Sequence, residues 1–212
     1  AMVEAIGEAL RFMESLAGKQ LGEMSQVDFF TSHEALVLEY EEALTRQVPH
    51  RPGWWNLSTH FPWIGLRTAD PDGGHVAYFS GIQNPIGVKI GPGMSVEHVL
   101  ALVERLDPHR SPGRLTLIHR FGREGIADGL PPILRAVAET GRKPLWVCDP
   151  MHGNTRSVVP DSGPMSGEKV KTRSFDDILQ ELEMAFEIHL ECGSRLGGVH
   201  FELTGENVIE CT

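Results

Sequence analysis

The sequence is poor in cysteine, positive charge and long apolar runs, and each shortage excludes a class of protein. Its three cysteines, Cys148, Cys192 and Cys211, have no Cys-x-x-Cys spacing, so neither a disulfide framework nor a zinc knuckle is indicated. The formal net charge is −10, with 19 Lys and Arg against 29 Asp and Glu. This charge argues against a nucleic-acid or anionic-membrane partner, because both require a basic face.

The sequence also lacks targeting and nucleotide-binding signals. No apolar stretch approaches the roughly 20 residues of a membrane span, and the amino end has no basic segment followed by an apolar one, so we expect a cytoplasmic protein. With 212 residues, of which 41% are hydrophobic, the chain suits one globular domain over residues 1–212. Within it we predict an N-terminal helix over residues 1–23 and a long loop over residues 156–170, rich in Ser, Pro and Gly.

Strand-like and helix-like segments alternate along the chain. Strands are predicted over residues 27–30, 57–64, 85–90, 114–119, 145–148 and 198–204, and helices over 35–45, 96–106, 131–140 and 175–192. Such alternation predicts parallel strands joined by right-handed crossovers, in an open sheet or a barrel. No G-x-G-x-x-G or Walker motif is present, and polar residues follow one strand after another, so an α/β fold of the (β/α) TIM-barrel type is favoured.

The polar residues at these strand ends are the candidate site. They are Glu34, Arg67, Lys89, Arg120, His152 and Glu202. Since the carboxyl ends of barrel strands meet at one mouth, where barrel enzymes carry their active sites, we expect the six side chains to converge. Arg67, Lys89 and Arg120 together indicate an anion, most simply a phosphate with a carboxylate, although ion pairs closing the barrel top are the alternative.

His152 and Glu202 are the candidate metal ligands. An imidazole nitrogen with a carboxylate oxygen suits Mn²⁺, Fe²⁺, Co²⁺ or Zn²⁺, but two ligands make an incomplete site. The alternative for His152 is a hydrogen-bonded histidine in a helix-capping loop. His200 shares a strand face with Glu202 and is either a second donor or a packed histidine, and we favour packing. Cys148 lies inside a strand and is expected in the core.

Six motifs in this order resemble the type II 3-deoxy-D-arabino-heptulosonate 7-phosphate (DAHP) synthases. The motifs are Thr31–Glu34 (TSHE), Asn84–Pro92 (NPIGVKIGP), Pro112–Arg120 (PGRLTLIHR), Cys148–Thr155 (CDPMHGNT), Lys171–Arg173 (KTR) and Gly197–Cys211 (GGVHFELTGENVIEC). The resemblance covers nearly all of the chain, from about Met24 to Cys211. It implies a (β/α) barrel that condenses phosphoenolpyruvate with erythrose 4-phosphate in aromatic or related secondary metabolism, with a divalent metal, Mn²⁺ or Co²⁺.

The resemblance also implies residue roles. His152 and Glu202 would be metal ligands, and Arg67, Lys89 and Arg120 would hold phosphoenolpyruvate. Lys89 would in addition donate a proton, and Glu34 would lie near the aldehyde or its water. Leu66 stands where the family has a glutamate, which alters the surroundings of the substrate phosphate.

Family members are about twice this long, so the resemblance implies an incomplete barrel. About six strands, matching strands 3 to 8 of the family, are expected here, without the family's metal-binding cysteine and aspartate. We expect the open edges to be covered by the N-terminal helix, by a second polypeptide or, as favoured here, by a second copy in a homodimer. The function is then either a metal-assisted condensation of phosphoenolpyruvate with an aldose phosphate or non-catalytic binding of a phosphorylated ligand by a subunit that completes or regulates a partner enzyme.

Overall fold

The computed structural model describes residues 28–159, 161, 167 and 169–203. The chain divides into two compact units, residues 1–31 and 32–212, and every element below belongs to the second. The predicted N-terminal helix over residues 1–23 and the cysteine at 211 lie outside the described residues, and the single domain over residues 1–212 stays a prediction. Within the described ranges, no helix is long and apolar enough to cross a bilayer.

Ten strands are present in the described part of the chain. They are β1 (Ser32–Glu34), β2 (Thr45–Arg46), β3 (Trp55–Asn56), β4 (Phe61–Ile64), β5 (Ile86–Ile90), β6 (Leu115–His119), β7 (Leu145–Cys148), β8 (Arg156–Val158), β9 (Val170–Thr172) and β10 (Leu196–Val199). Six of them form one parallel sheet in the order β1-β4-β5-β6-β7-β10. The prediction of an α/β protein with parallel strands is confirmed. The other four form two antiparallel pairs, β2 with β3 and β8 with β9.

Helices connect the successive strands of the main sheet. They are α1 (Leu38–Ala43), α2 (Gly74–Gly81), α3 (Val96–Leu106), α4 (Ile126–Glu139) and α5 (Phe175–Glu191). Ser95 caps α3, since its hydroxyl accepts a hydrogen bond from the His98 amide at 3.2 Å. Ser174 directly precedes α5, but its side chain makes no capping hydrogen bond.

The core lies between the outer face of the sheet and these helices. All five residues of β5 are buried, as are all five of β6, because both faces of these strands are enclosed. The outward residues of β5 belong to one apolar cluster with residues of α3 and α4, including Val99, Leu102, Leu130 and Val137. The inward residues alternate with them, so Gly87 and Lys89 face the concave side.

The sheet is strongly curled about its concave face. The rings of Trp63, which belongs to β4, and His200, which directly follows β10, are 5.3 Å apart between centroids and meet edge to face. Four strand-to-strand steps separate β4 from β10 in the sheet. At about 4.8 Å a step, a flat sheet would hold these residues about 19 Å apart. The sheet must therefore bend far enough to bring its two sides across one interior.

Several segments differ from the sequence predictions. The first strand of the main sheet is β1 (Ser32–Glu34), and residues 28–30 of the predicted strand over 27–30 are not in a strand. Helix α2, which buries Val76 and Phe79, was not predicted, because glycines stand at both of its ends. Strand β10 ends at Val199, earlier than the predicted strand over 198–204, and contains Gly197, where a Cβ would come 2.3 Å from a methyl carbon of Leu145. The ends of the predicted loop over 156–170 are in strands, since β8 pairs with β9.

Candidate functional site

All six predicted site residues line one cavity of about 560 Å³ at the carboxyl edge of the main sheet. Each comes from a different strand or the turn after it. Glu34 ends β1, Arg67 lies in the 3-10 turn Leu66–Thr68 after β4, and Lys89 is in β5. Arg120 follows β6, His152 begins the 3-10 turn His152–Asn154 after β7, and Glu202 follows β10. The six side chains therefore converge at this edge of the sheet.

Lys89 is buried on the floor of this cavity. Its ammonium group forms an ion pair with the Asp149 carboxylate and lies 4.9 Å from the centroid of the Trp63 ring. Burial lowers the pKa of Lys89, while the nearby charge of Asp149 opposes this shift. Gly87, two residues earlier, leaves room for the Trp63 and Phe61 side chains, because a Cβ there would come within 3.0 Å of both.

Asp149 organises the cation and the imidazole on this floor. The carboxylate is fully buried, and its Oδ1 accepts hydrogen bonds from the backbone amides of Met151 (3.0 Å) and His152 (3.1 Å). Its Oδ2 contacts both the Lys89 ammonium and His152 Nδ1, the latter at 2.7 Å. Burial raises the pKa of Asp149, but the hydrogen bond from His152 and the charge of Lys89 outweigh it and hold that pKa well below its ordinary value.

His152 is oriented by this contact. With Asp149 ionised, Nδ1 carries the proton and Nε2 points to Glu202 Oε2 at 3.3 Å. Glu202 also contacts Arg173, whose guanidinium lies 3.3 Å from the same oxygen. Two acceptor atoms facing each other call for a proton or a cation between them. The donor types suit a borderline divalent ion, but in the part of the chain described here no group of three or more His, Cys, Asp or Glu could hold a metal.

Arg120 places an incompletely bonded guanidinium in the cavity. One of its terminal nitrogens donates to the His152 carbonyl, whereas its Nε is buried without a hydrogen-bond partner among the described residues. Arg120 also lines the cavity, and an anion is the natural ligand of a guanidinium in such a position. Arg67 is exposed at the rim, and Lys171 of β9 adds a cation that sequence reasoning did not single out.

Glu34 and His200 complete the walls. The Glu34 carboxylate occupies the space beside Gly65, where a Cβ would come 1.9 Å from its Oε1, so a side chain at that position would displace the carboxylate. His200 packs against Trp63, as expected for a packed histidine, and also lines the cavity. Burial lowers the pKa of His200 to about 4, which keeps its ring neutral. Cys148 is fully buried in the core, as predicted.

The residues that sequence reasoning missed had weak local signals. Asp149 directly follows β7 and lies two residues after Val147, on the same face of the chain. The alternation of side chains along the strand was the only sequence signal that it faces the cavity. Lys171 lies in the Lys171–Arg173 motif, between the predicted loop over 156–170 and the predicted helix over 175–192, where no strand was predicted. Because β9 pairs with β8, the hairpin carries Lys171 to the rim of the cavity.

Comparison with known proteins gives one family and consistent relatives. The family model described as the Class-II DAHP synthetase family matches residues 1–212. The chain is 46% identical over 225 residues to a phospho-2-dehydro-3-deoxyheptonate aldolase of Neurospora crassa, covering 99% of this chain and 45% of the relative. Proteins of the same description from Streptomyces coelicolor and Mycolicibacterium smegmatis are 45% and 44% identical over 210 and 216 residues, covering 99% and 100% of this chain. The chain thus spans about 45% of the length of these relatives.

Proposed function

This chain belongs to the Class-II DAHP synthetase family, and we propose that its cavity binds phosphoenolpyruvate and takes part in its condensation with an aldose phosphate, erythrose 4-phosphate. The relatives are described as phospho-2-dehydro-3-deoxyheptonate aldolases. The observation that carries the proposal is the convergence of Arg67, Lys89 and Arg120 on one cavity from three different strands. A phosphate with a carboxylate is the ligand class that such a set of cations recognises.

The scaffold we propose is part of a (β/α) TIM barrel. Six parallel strands in chain order, the helices between them and the strong curl of the sheet support it. In the described residues β1 and β10 each pair with a single neighbour, so both are edges of the sheet. We propose that these edges are completed by a second copy of the chain or by another polypeptide, since Phe201 and Leu203 beside β10 are exposed apolar side chains.

The roles proposed for the cations differ with their surroundings. Arg120, which lines the cavity, would form charge-assisted hydrogen bonds to a phosphate or carboxylate, and exposed Arg67 would close over the ligand at the rim. Lys89 would contact the ligand from the floor and donate a proton, because its lowered pKa makes the ammonium a better acid. Glu34 would lie near the aldehyde or its attacking water, since it lines the same cavity.

The metal proposal is limited to two ligands. His152 Nε2 and Glu202 Oε2 are of the right types for Mn²⁺ or Co²⁺, and Asp149 orients the imidazole as carboxylates do for metal-bound histidines. Two donors do not make a metal site, so these described residues do not fit a metal by themselves.

A second function, non-catalytic binding of a phosphorylated ligand by a subunit that completes or regulates a partner enzyme, is favoured by one observation. The described residues retain the cationic cavity but supply only two of the donors that a metal needs. Such a chain would bind phosphoenolpyruvate without turning it over alone.

Titration with phosphoenolpyruvate tests the shared part of both functions. We expect Lys89→Ala and Arg120→Ala each to weaken binding about tenfold or more, because each removes a charge-assisted hydrogen bond of about 1.5–3 kcal/mol. Arg105→Ala and Lys143→Ala are the matched controls, since both side chains are exposed and neither lines the cavity. Equal affinity for Lys89→Ala and the unaltered protein would remove the proposal.

Turnover separates the two functions. Phosphoenolpyruvate consumption is followed with erythrose 4-phosphate, with and without Mn²⁺, while the particle mass is measured. Turnover by the chain alone supports the enzyme. Binding without turnover in a stable particle supports the ligand-binding subunit, and turnover only after a second protein is added supports an enzyme completed by a partner.

A further inference from the structure

Glu181 is a fully buried carboxylate on α5 that does not line the cavity. Its Oε1 accepts hydrogen bonds from the backbone amides of Phe121 (3.0 Å) and Gly122 (2.9 Å). Its Oε2 accepts one from the Asn154 side-chain amide at 2.7 Å. All three donors are neutral N–H groups, and they belong to two different turns.

These two turns carry site residues. Phe121 and Gly122 directly follow Arg120 in the turn after β6, and Asn154 lies two residues beyond His152 in the turn after β7. Asn154 strengthens the link, because its Oδ1 accepts from the Arg123 amide at 2.9 Å and its Nδ2 also donates to the Pro150 carbonyl at 2.7 Å. The carboxylate and this amide together bridge the turns.

The turns also touch backbone to backbone. A Cβ on Gly122 would come 2.6 Å from the Gly153 carbonyl oxygen, and one on Gly153 would come 2.3 Å from the Gly122 nitrogen. Gly122 has φ of +80°, a conformation that side-chain-bearing residues rarely adopt. No side chain lies between the two turns at this contact. Glu181 is hydrogen-bonded to both turns and so fixes their relative position.

We propose that Glu181 is a positioning residue of the cavity, which cross-links the turns after β6 and β7 and so sets the spacing between the Arg120 guanidinium and the His152 imidazole. The proposal rests on the proposed function only in its binding test. The direct contact of Arg120 with the His152 carbonyl means that a shift of either turn moves both side chains. Burying the Glu181 carboxyl group against neutral donors disfavours its charged form. An apolar residue at this position would carry no such free-energy cost.

Glu181→Gln is the most informative variant. The glutamine oxygen can still accept from the two backbone amides, but its NH₂ then meets the Asn154 NH₂, and Asn154 cannot turn over without losing its bonds to Arg123 and Pro150. We expect phosphoenolpyruvate binding to weaken about tenfold, as for a break in a coupled hydrogen-bond network. Asn154→Ala breaks the same link, so the double variant should weaken binding about tenfold and not a hundredfold.

Glu41→Gln is the matched control for loss of stability. Glu41 is also buried and accepts three hydrogen bonds, from Asn56 Nδ2 (2.6 Å), Ser58 Oγ (2.6 Å) and His33 Nε2 (2.7 Å), but it bonds to neither turn. Both variants should lower the thermal unfolding midpoint, while only Glu181→Gln should weaken binding. Equal affinities for the two variants, or a multiplicative effect in the double variant, would overturn the positioning role.

Nuclear magnetic resonance separates this role from the proposed function. Should the unaltered protein fail to bind phosphoenolpyruvate, the proposed function falls, but the ligand-free spectra still test the cross-link. In those spectra Glu181→Gln should shift the His152 ring and Arg120 side-chain resonances, whereas Glu41→Gln should leave them in place. Unchanged His152 and Arg120 resonances in folded Glu181→Gln would refute the proposal.

Discussion

Asp149 and Glu181 are both buried carboxylates beside the turn after β7, yet their surroundings give them opposite ionisation behaviour. Both are fully inaccessible to solvent. Asp149 contacts the Lys89 ammonium and the His152 imidazole, which hold its pKa well below the ordinary value. Among the described residues Glu181 accepts only from neutral N–H groups, so burial dominates and raises its pKa to about 7, with the charge of Asp149 adding to the effect.

The difference shows that burial alone does not decide the charge of a group. The hydrogen bond from His152 and the charge of Lys89 keep Asp149 ionised, which suits it to holding Lys89 and His152 in one arrangement. Compensation by neutral amides leaves Glu181 able to change charge near neutral pH, although its position is fixed by three hydrogen bonds. The two carboxylates therefore support the cavity in different ways.

Of the substitutions that test this difference, replacing Asp149 should have the largest effect on the free energy of unfolding. Asp149→Asn leaves the Lys89 ammonium buried without its counter-charge, so we expect the free energy of unfolding at pH 7 to fall by about 3–5 kcal/mol. Glu181→Gln keeps two of its three hydrogen bonds and should cost about 1–3 kcal/mol. Urea denaturation of both variants measures the two losses.

The control for Asp149→Asn is its combination with Lys89→Met. With neither charge present, no uncompensated ion is buried, and the double variant should be more stable than Asp149→Asn alone. Equal losses for Asp149→Asn and Glu181→Gln, with no recovery in the double variant, would mean that the two carboxylates are held alike.

The pH dependence of stability should distinguish the carboxylates next. A raised pKa means that folded Glu181 keeps its proton between its ordinary value of 4.5 and about 7, while the unfolded chain has lost it. The folded state then binds more protons, so the unfolding free energy of the unaltered protein relative to Glu181→Gln should fall by up to about 1.4 kcal/mol per pH unit across that range. Above it the difference should be constant.

Asp149 should show the reverse dependence in a different range. Its pKa is lowered from 3.8, so its contribution is fully present above that pH and is lost only on further acidification. Two buried histidines, His119 and His189, also titrate with lowered pKa values of about 3 and about 4, and they cost stability as pH falls below 6.5. Because Glu181→Gln retains both, their effect cancels in the comparison with the unaltered protein. A difference that is flat from pH 4.5 to 7 would contradict the raised pKa of Glu181.

The positions of the six site residues followed from the sequence because each depends on a local rule. An apolar strand ends, a polar residue follows, and parallel pairing brings such residues to one edge. Lys89 in β5 and Arg120 after β6 could be placed without knowing any contact between them. The parallel sheet was predictable for the same reason, since alternation of strand and helix is visible over short windows.

The supporting contacts could not be predicted because they join residues far apart in the chain. The Phe121 amide and the Glu181 carboxylate are 60 residues apart, and Lys89 and Asp149 are also 60 apart. A glutamate inside an amphipathic helix normally faces solvent, so Glu181 carried no sign of its burial. The β8–β9 hairpin was likewise hidden, because its strands of three residues are flanked by Ser, Pro and Gly.

The smallest expected effect is on the reactivity of the Cys148 thiol. Cys148 directly precedes Asp149 in the chain, and the charges of both carboxylates act on it. Burial raises the pKa of its thiol, and the charges of Glu181 and Asp149 raise it further. Iodoacetamide at pH 8 should therefore alkylate half-buried Cys192 well before Cys148, as peptide mass spectrometry can follow. Since burial is the main cause, Glu181→Gln should accelerate Cys148 labelling only slightly, by less than about tenfold. Labelling of Cys148 as fast as Cys192 in the unaltered protein would mean that β7 is open to solvent, and that neither carboxylate beside it is held in a closed interior.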